Sequence, residues 1–460
     1  MPKKNTLTKK KPVIKKATRY GYRCLGKGIY VSNDTKKTGL NNNCLVIGGS
    51  GSGKSGSIVY PQLKTLSDSS LIVADTKNML HRMFKDELEK KGFKVRVLDF
   101  VNPEGSCRYN PLDYVRMNPD GTYNELDIMK ISSSLIPDKF DRSEPFWPIS
   151  ARAVLDFFIA FTLSALPEED HDMYSVCRLY RLYNSENGEL AFAEWLEDNP
   201  GSFAANRYAM IKNMKTADKT FSSILAFCNV ALYPFDCSAL RPIFSFGDFF
   251  FSSVEEDIDD LFLPYDVPTP IDTMTVEPEE RDELSLTDLA REKTVVFLNV
   301  SDTDHSLDNL VNLFYSQALQ TLISEADKQE NGKLPVPCHI IFDDFASGTV
   351  LNSFDKIISV IRSRDLWVSI MIQSLSQLES LYSHANSLTI INNCDHIIYM
   401  GSNDMESAEF VAMRANKVVE NVLSMDRTKE YFIEGGKKAV LVDKVPPYSY
   451  SEKDFQPEIA

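Results

Sequence analysis

From position 44 onward, short apolar runs alternate with amphipathic stretches. Leu45-Val46-Ile47 is an unbroken apolar run that leads into a glycine-rich turn. Leu71 to Ala74, closed by Asp75, is a second such run, and Val95-Arg96-Val97-Leu98 a third. Runs that are apolar on both faces suit parallel strands, because helices cover both sides of a parallel sheet. Ser55 to Leu66 reads as a helix, and residues 79–91 as a charged amphipathic helix. Strands alternating with helices predict an α/β fold with a parallel-type central sheet flanked by helices.

Near Ser133 the pattern changes. Residues 145–232 hold several helical stretches and little strand signal, among them SARAVLDFFIAFTLSAL, MYSVCRLYRLY and TFSSILAFCNVAL. They read as an inserted all-helical domain. Residues 254–283 then carry twelve acids against one base, Arg281, with repeated prolines, as a surface linker would. Alternation resumes with strands at Val295 to Val300, His339 to Asp343, Leu366 to Ile372 and Cys394 to Met400, and helices over 306–328 and 352–363. The expected organisation is a basic disordered tail (1–22), the first half of a core domain (23–140), the helical insertion (141–253), an acidic linker (254–285) and the second half of the core domain (286–460).

Composition narrows this picture. At 460 residues and 43% hydrophobic, the chain can build two or three cores without disulfides. Its eight cysteines form no C-x-x-C pair and its six histidines form no ligand cluster, so the thiols read as reduced and buried, and a structural zinc is not expected. The most apolar run, Ala153 to Leu166, is too short to span a bilayer and contains Asp156, so it reads as a core helix. The N-terminus is basic but lacks the apolar segment of a secretory signal, which points to the cytoplasm. Residues 1–37 carry twelve Lys/Arg against Asp34 alone, a net of +11, which leaves −26 for the rest of a chain whose total is −15. So acidic a body would not bind nucleic acid over its whole surface, and any DNA contact must be gathered locally, for instance inside a ring. The tail itself would suit DNA or an anionic membrane surface.

The sharpest motif is GGSGSGKS, Gly48 to Ser55, which fits G-x-x-x-x-G-K-[ST] between a strand and a helix. Here Gly48, Gly49, Ser50, Gly51, Ser52 and Gly53 would bend the backbone so that its N–H groups cradle a phosphate, helped by the helix N-terminus. Lys54 would reach the outer phosphates of ATP, and the Ser55 hydroxyl would ligate Mg2+. The core domain is thus expected to bind nucleotide. A strand ending in Asp343-Asp344 supplies the acidic partner: Asp343 for the Mg2+ water shell, Asp344 to orient and deprotonate the attacking water. Gln373 ends the strand LWVSIMIQ and would sense the γ-phosphate or position the water. Arg362 or Arg364 would be an arginine finger for the next subunit's nucleotide. Asp75 and Lys77 end the second strand near the expected nucleotide edge.

Together these segments resemble the type IV secretion coupling proteins of the TraG/TraD group, relatives of the HerA/FtsK motors. The likeness runs through VIGGSGSGKSGSIVYPQL with the proline that follows its helix, LIVADTK, GFKVRVLDFVNPEGSCRYNPLDYV with its Tyr109 to Leu112 turn, and EPFWPISARAVLDFFIAF with Phe146 and Trp147. It continues through IIFDDFASGTVLNSFDKIISVIRSRDLWVSIMIQSLSQLESLY, up to Gln373 and Gln377, and INNCDHIIYMGSNDMESAEFVA. The resemblance implies a RecA-like motor with an inserted helical domain, assembling as a homo-hexamer with ATP between subunits. It also implies relaxase-bound single-stranded DNA as cargo, delivered to type IV secretion channel proteins at the inner face of the plasma membrane. Three departures stand out. No N-terminal transmembrane helix is found, so membrane attachment would be peripheral or through a partner. Asp343-Asp344 stands where the family usually has Asp-Glu, which shortens the reach of the second carboxylate. Asp75-Thr76-Lys77-Asn78-Met79 replaces the usual D-x-K-G-E. The alternative to a DNA-pumping ATPase is an ATP-gated substrate-recruitment receptor with little hydrolysis.

Overall fold

A computed structural model describes residues 19–137, 146–216, 218–244, 282–301, 303–345 and 350–450. Eleven strands run in chain order: β1 Tyr22–Gly26, β2 Ile29–Ser32, β3 Cys44–Ile47, β4 Ser70–Ala74, β5 Lys94–Asp99, β6 Thr294–Asn299, β7 Cys338–Phe342, β8 Leu366–Ile372, β9 His396–Tyr399, β10 Lys429–Glu434 and β11 Val440–Asp443. Nine of them form one sheet in the order β11-β10-β9-β3-β8-β7-β4-β6-β5, while β1 and β2 form a separate antiparallel hairpin. The seven strands from β9 to β5 are parallel. The sheet is of the parallel type that the apolar runs imply, and one edge adds an antiparallel pair, where β10 runs antiparallel to both β9 and β11. These two strands gave no continuous apolar signal: β10 reads KEYFIE, and β11 is largely exposed.

The parallel strands are apolar because both faces are covered. Odd and even positions of β3 and β4 enter two different clusters of buried side chains, with Leu45, Ile47 and Ile72 on one side and Val46, Leu71 and Val73 on the other. In such a sheet every strand delivers its C-terminal end to the same edge. Gly48, Asp75, Asp343 and Gln373 directly follow β3, β4, β7 and β8, so all four arrive at that edge.

The described residues between 146 and 244 form helices joined by short turns, with no strand among them, and they share one buried cluster with a face of the sheet. The helix Phe146–Ala165 lies at the centre, packed against the helices Glu125–Leu135, Met173–Tyr183, Phe203–Lys215 and Asp218–Asp236. It is long and apolar enough to cross a membrane, and 72% of its most apolar window is buried inside the protein. Phe157, Phe158 and Phe161 on this helix meet Phe192 edge-on or tilted, with centroids 4.9–6.1 Å apart. Asp156, within the apolar run, is buried against Ser132 Oγ (2.6 Å) and Arg207 (3.3 Å). The helix Glu125–Leu135 joins the two parts: Asn309 Nδ2 donates to Leu135 O and Asn352 Nδ2 to Ser133 O.

Three segments differ from expectation. Residues 1–18 of the basic tail lie outside the described residues, but its end is fastened. Tyr20 OH donates to Asp365 Oδ2 (2.7 Å), Gly21 N to Asp68 Oδ2 (2.5 Å), and Tyr22 begins β1. Residues 254–281 of the acidic stretch also lie outside, whereas Arg108 N donates to Asp282 O and Leu284 N to Arg108 O. The helix after the glycine turn is not regular. Ser55–Val59 is a π turn, and α-helix follows over Tyr60–Thr65 with Pro61 inside it rather than after it. Proline has no N–H and its ring collides with the carbonyl four residues back, so a widened turn ahead of it relieves the clash.

Candidate nucleotide site

The turn from β3 to the following helix is held by its neighbours. Gly48 N donates to Ile372 O at the end of β8 (3.0 Å), and Gly49 N to Gly401 O beyond β9 (2.8 Å). Gly51 and Gly53 have φ of +74° and +91°, which only glycine adopts cheaply. A Cβ on Gly48 would collide with Ser52 Oγ and approach Met400 Cβ to 3.1 Å. The Ser52 and Ser57 hydroxyls are buried with no hydrogen-bond partner among the described residues. A buried polar group left so costs about 1–3 kcal/mol, which a bound oxyanion or water removes. No side chain caps the first turn of the helix. A phosphate chain fits this cradle on all three counts.

The two motifs meet here. Ser55 Oγ donates to Asp343 Oδ2 at 2.5 Å. Lys54 is buried; its Nζ donates to Gly48 O (2.8 Å) and lies 3.7 Å from Asp344 Oδ1. Burial pushes the Asp343 carboxyl above the usual carboxylate range. The Asp344 charge adds to the rise, while the Ser55 hydrogen bond and Lys54 oppose it. Among the described residues no group of three or more His, Cys, Asp or Glu could hold a metal ion. One hydroxyl beside one carboxylate suits Mg2+ instead, which keeps several waters and takes phosphate oxygens as ligands. Asp344 has φ +53°, a conformation that Asp and Asn adopt more readily than other L-residues.

Gln373 follows β8 at the same edge, half-buried, with its N–H donating to Gln377 Oε1 (3.3 Å). It lines a cavity of about 380 Å³ together with Asp343, Asp344, Thr76, Asn312 and Tyr315. Arg362 and Arg364 are not brought to the site. They precede β8, at the opposite edge, and seven strand residues separate them from Gln373, about 23 Å at the usual rise. Arg362 Nη2 donates to Gly39 O (2.8 Å), and Arg364 makes a two-pronged bond to Asp327 (2.9 and 3.2 Å).

Asp75 turns inward and caps a helix. Its carboxylate accepts from the N–H groups of Met79, Leu80 and His81 at 2.9–3.0 Å, at the start of the helix Leu80–Lys90. Lys77 is exposed. Asn78, after Lys77, holds a left-handed backbone with φ +52°. The Tyr109 to Leu112 turn joins the halves of the molecule. Tyr109 OH donates to Gln317 Oε1, Gln317 Nε2 to Pro111 O, and Asn110 Nδ2 to His171 O.

One contact had no sequence signal. Lys444, a lone lysine after β11, is buried and donates to Ser52 O (3.1 Å) and Met400 O (2.9 Å). The two prolines that follow could have marked only a turn.

A family model described as type IV secretory system conjugative DNA transfer matches residues 1–277 and 280–418. No curated protein sequence matches the chain. Among solved structures, the bacterial conjugative coupling protein TrwBdeltaN70 in complex with sulphate is similar, with a TM-score of 0.60 at 14% identity over 88% of this chain and 85% of that one. The plasmid coupling protein TrwB in complex with ADP and Mg2+ gives 0.59 at 14% identity over the same shares. TrwB with a non-hydrolysable ATP analogue gives 0.60 at 14% identity, over 89% and 86%. At that identity the likeness is one of fold: a RecA-like P-loop domain with a helical domain attached. The family model covers most of the chain, and the protein belongs to the type IV secretory system conjugative DNA transfer family.

Proposed function

We propose that this chain is an ATP-driven coupling protein that recruits relaxase-bound single-stranded DNA and pumps it toward a type IV secretion channel. The observation that carries the reading is the 2.5 Å bond from Ser55 Oγ to Asp343 Oδ2, with Lys54 and Asp344 3.7 Å apart beside it. A lysine, a hydroxyl and two carboxylates converge on a glycine turn with orphaned hydroxyls, which is the donor set for Mg-ATP. The TrwB complexes with ADP and Mg2+ and with an ATP analogue support the same ligands.

In this reading residues 48–53 cradle the phosphates, and Lys54 leaves the Gly48 carbonyl to meet their outer oxygens. Ser55 and Asp343 hold Mg2+, which when bound offsets the charge on the phosphates. Asp344 orients and deprotonates the attacking water, and Gln373 positions that water or senses the γ-phosphate. Arg362 and Arg364 lie about 23 Å of strand away from their own turn, so they would serve a neighbouring copy in a homo-hexameric ring. DNA backbone contacts inside such a ring suit a motor, because they carry no base sequence. We assign nucleotide binding to residues 23–140 and 286–460, cargo docking to residues 141–253, a tail role to 1–22 and a linker role to 254–285. We place the work in the cytoplasm at the inner face of the plasma membrane.

The test is ATP turnover by the assembled chain with and without single-stranded DNA, beside Lys54→Ala. Turnover that rises with DNA and drops at least about 10²-fold in Lys54→Ala is expected. Turnover indifferent to DNA, or retained in Lys54→Ala, refutes the reading.

A further inference from the structure

The segment after β11 returns across the glycine turn. Lys444 Nζ bridges Ser52 O and Met400 O at 3.1 and 2.9 Å, and Tyr448 N donates to Gly56 O at 3.1 Å. A Cβ on Gly56 would meet Pro447 Cβ at 2.8 Å, so the segment lies directly against the π turn. The Tyr448 ring packs edge-on against Tyr60, with centroids 5.7 Å apart, while its own backbone has φ +56°. A tyrosine is rarely held in the left-handed region unless its surroundings fix it there. Lys444 also gives up hydration that a surface lysine keeps. Burial pulls its ammonium below the usual lysine range, and the charge of Glu430, buried on β10, opposes that shift.

We infer that Lys444 is a positioning residue for the phosphate cradle, and that it aims the Gly53 N–H at the nucleotide. The reason is the planar trans peptide, in which C=O and N–H point in opposite directions. The Ser52 carbonyl and the Gly53 N–H belong to one peptide unit. An ammonium that holds this carbonyl outward turns the N–H inward, and its charge polarises the unit so that the N–H donates more strongly. The second bond, to Met400 O, ties the same unit to the end of β9. Lys444 therefore acts on phosphate from behind the turn, through backbone, while Lys54 acts from inside it.

This inference rests on the nucleotide reading above, and the experiment separates the two. Equilibrium binding of a fluorescent ADP analogue with Mg2+ is measured on the full chain for the unaltered protein, Lys54→Ala, Lys444→Met and Lys444→Arg, with a thermal melt of each. Unaltered protein that binds no ADP, or Lys54→Ala that binds it equally well, overturns the nucleotide reading itself. With that reading intact, Lys444→Met is expected to bind about tenfold more weakly or worse, as loss of a charged hydrogen bond implies. Lys444→Arg, which keeps charge and donors, recovers a large part of the affinity. Lys444→Met binding within about twofold of the unaltered protein overturns the inference, as does an Arg variant no tighter than the Met variant. If Lys444→Met melts below the assay temperature, Lys444→Gln takes its place under the same criterion.

Discussion

Ser55 and Asp343 stand 288 positions apart in the chain and meet through a 2.5 Å hydrogen bond at one edge of the sheet. Nothing local brings them together. Ser55 follows β3, and Asp343 follows β7, with β8 between the two strands. Parallel pairing alone places both C-terminal ends at the same edge, and side chains complete the contact. The consequence is a site that assembles only when the two sequence halves fold as one domain.

The second carboxylate should respond to length. Asp344 holds φ +53° and sits 3.7 Å from Lys54. Glutamate there extends the carboxylate by one bond, about 1.5 Å, toward the attacking water. Asp344→Glu is expected to raise ATP turnover severalfold. It should also destabilise the fold by up to about 1 kcal/mol, because glutamate tolerates the left-handed region less well. Steady-state turnover and thermal melts check both signs. A drop in turnover at equal nucleotide affinity would show that Asp344 is not the water-orienting group.

Tyr109→Phe should loosen the junction between the first and second sequence halves, where Gln317 lies on the helix Asp308–Asp327. The phenol is fully buried and donates to Gln317 Oε1, whose amide also donates to Pro111 O. Its removal leaves a buried amide oxygen unsatisfied, at a cost of about 1–2 kcal/mol. Chemical denaturation measures it. Nucleotide affinity should be unchanged, because neither residue touches the glycine turn.

Stability should fall as pH rises from about 4.5 to about 8. Glu430 is fully buried on β10, and burial pushes its carboxyl up to about 8, with Lys444 opposing. A carboxyl raised in the folded state contributes fully below the ordinary glutamate range. That contribution is lost as pH climbs from about 4.5 to about 8, because the unfolded chain releases the proton first. The melting midpoint is therefore expected to drop across this window. Glu430→Gln should flatten the drop and raise the midpoint by several degrees near pH 8.5. Parallel midpoint-versus-pH curves for the two proteins check the sign.

The parts of the fold that could be read directly were those where one stretch of chain carries the whole reason for its structure. β4, β6 and β8 are apolar on both faces because both faces are covered, and their ends fall within one residue of the apolar runs. The glycine turn is legible because backbone geometry dictates its residues. β10 and β11 leave no such signal, because an antiparallel edge pair needs no continuous apolar run, nor does the β1–β2 hairpin, whose four or five residues carry little periodicity. Asp75 was placed at the nucleotide edge by position, yet its carboxylate is spent on three helix N–H groups. Only the path of the chain after β4 decides between those outcomes. Lys444 was invisible for the opposite reason: its partners are backbone carbonyls of distant residues, which leave no mark in the composition around it.

The central claim is that Ser55 and Asp343 grip one metal together with the nucleotide phosphates. Binding of Mn2+, as a stand-in for Mg2+, tests this most directly: free Mn2+ is followed by its EPR signal with and without ADP, in the unaltered protein, Ser55→Ala and Asp343→Asn. ADP should create a Mn2+ site in the unaltered chain that weakens at least about tenfold in either variant. An ADP-dependent site of full affinity in both variants would place the metal elsewhere and contradict the account.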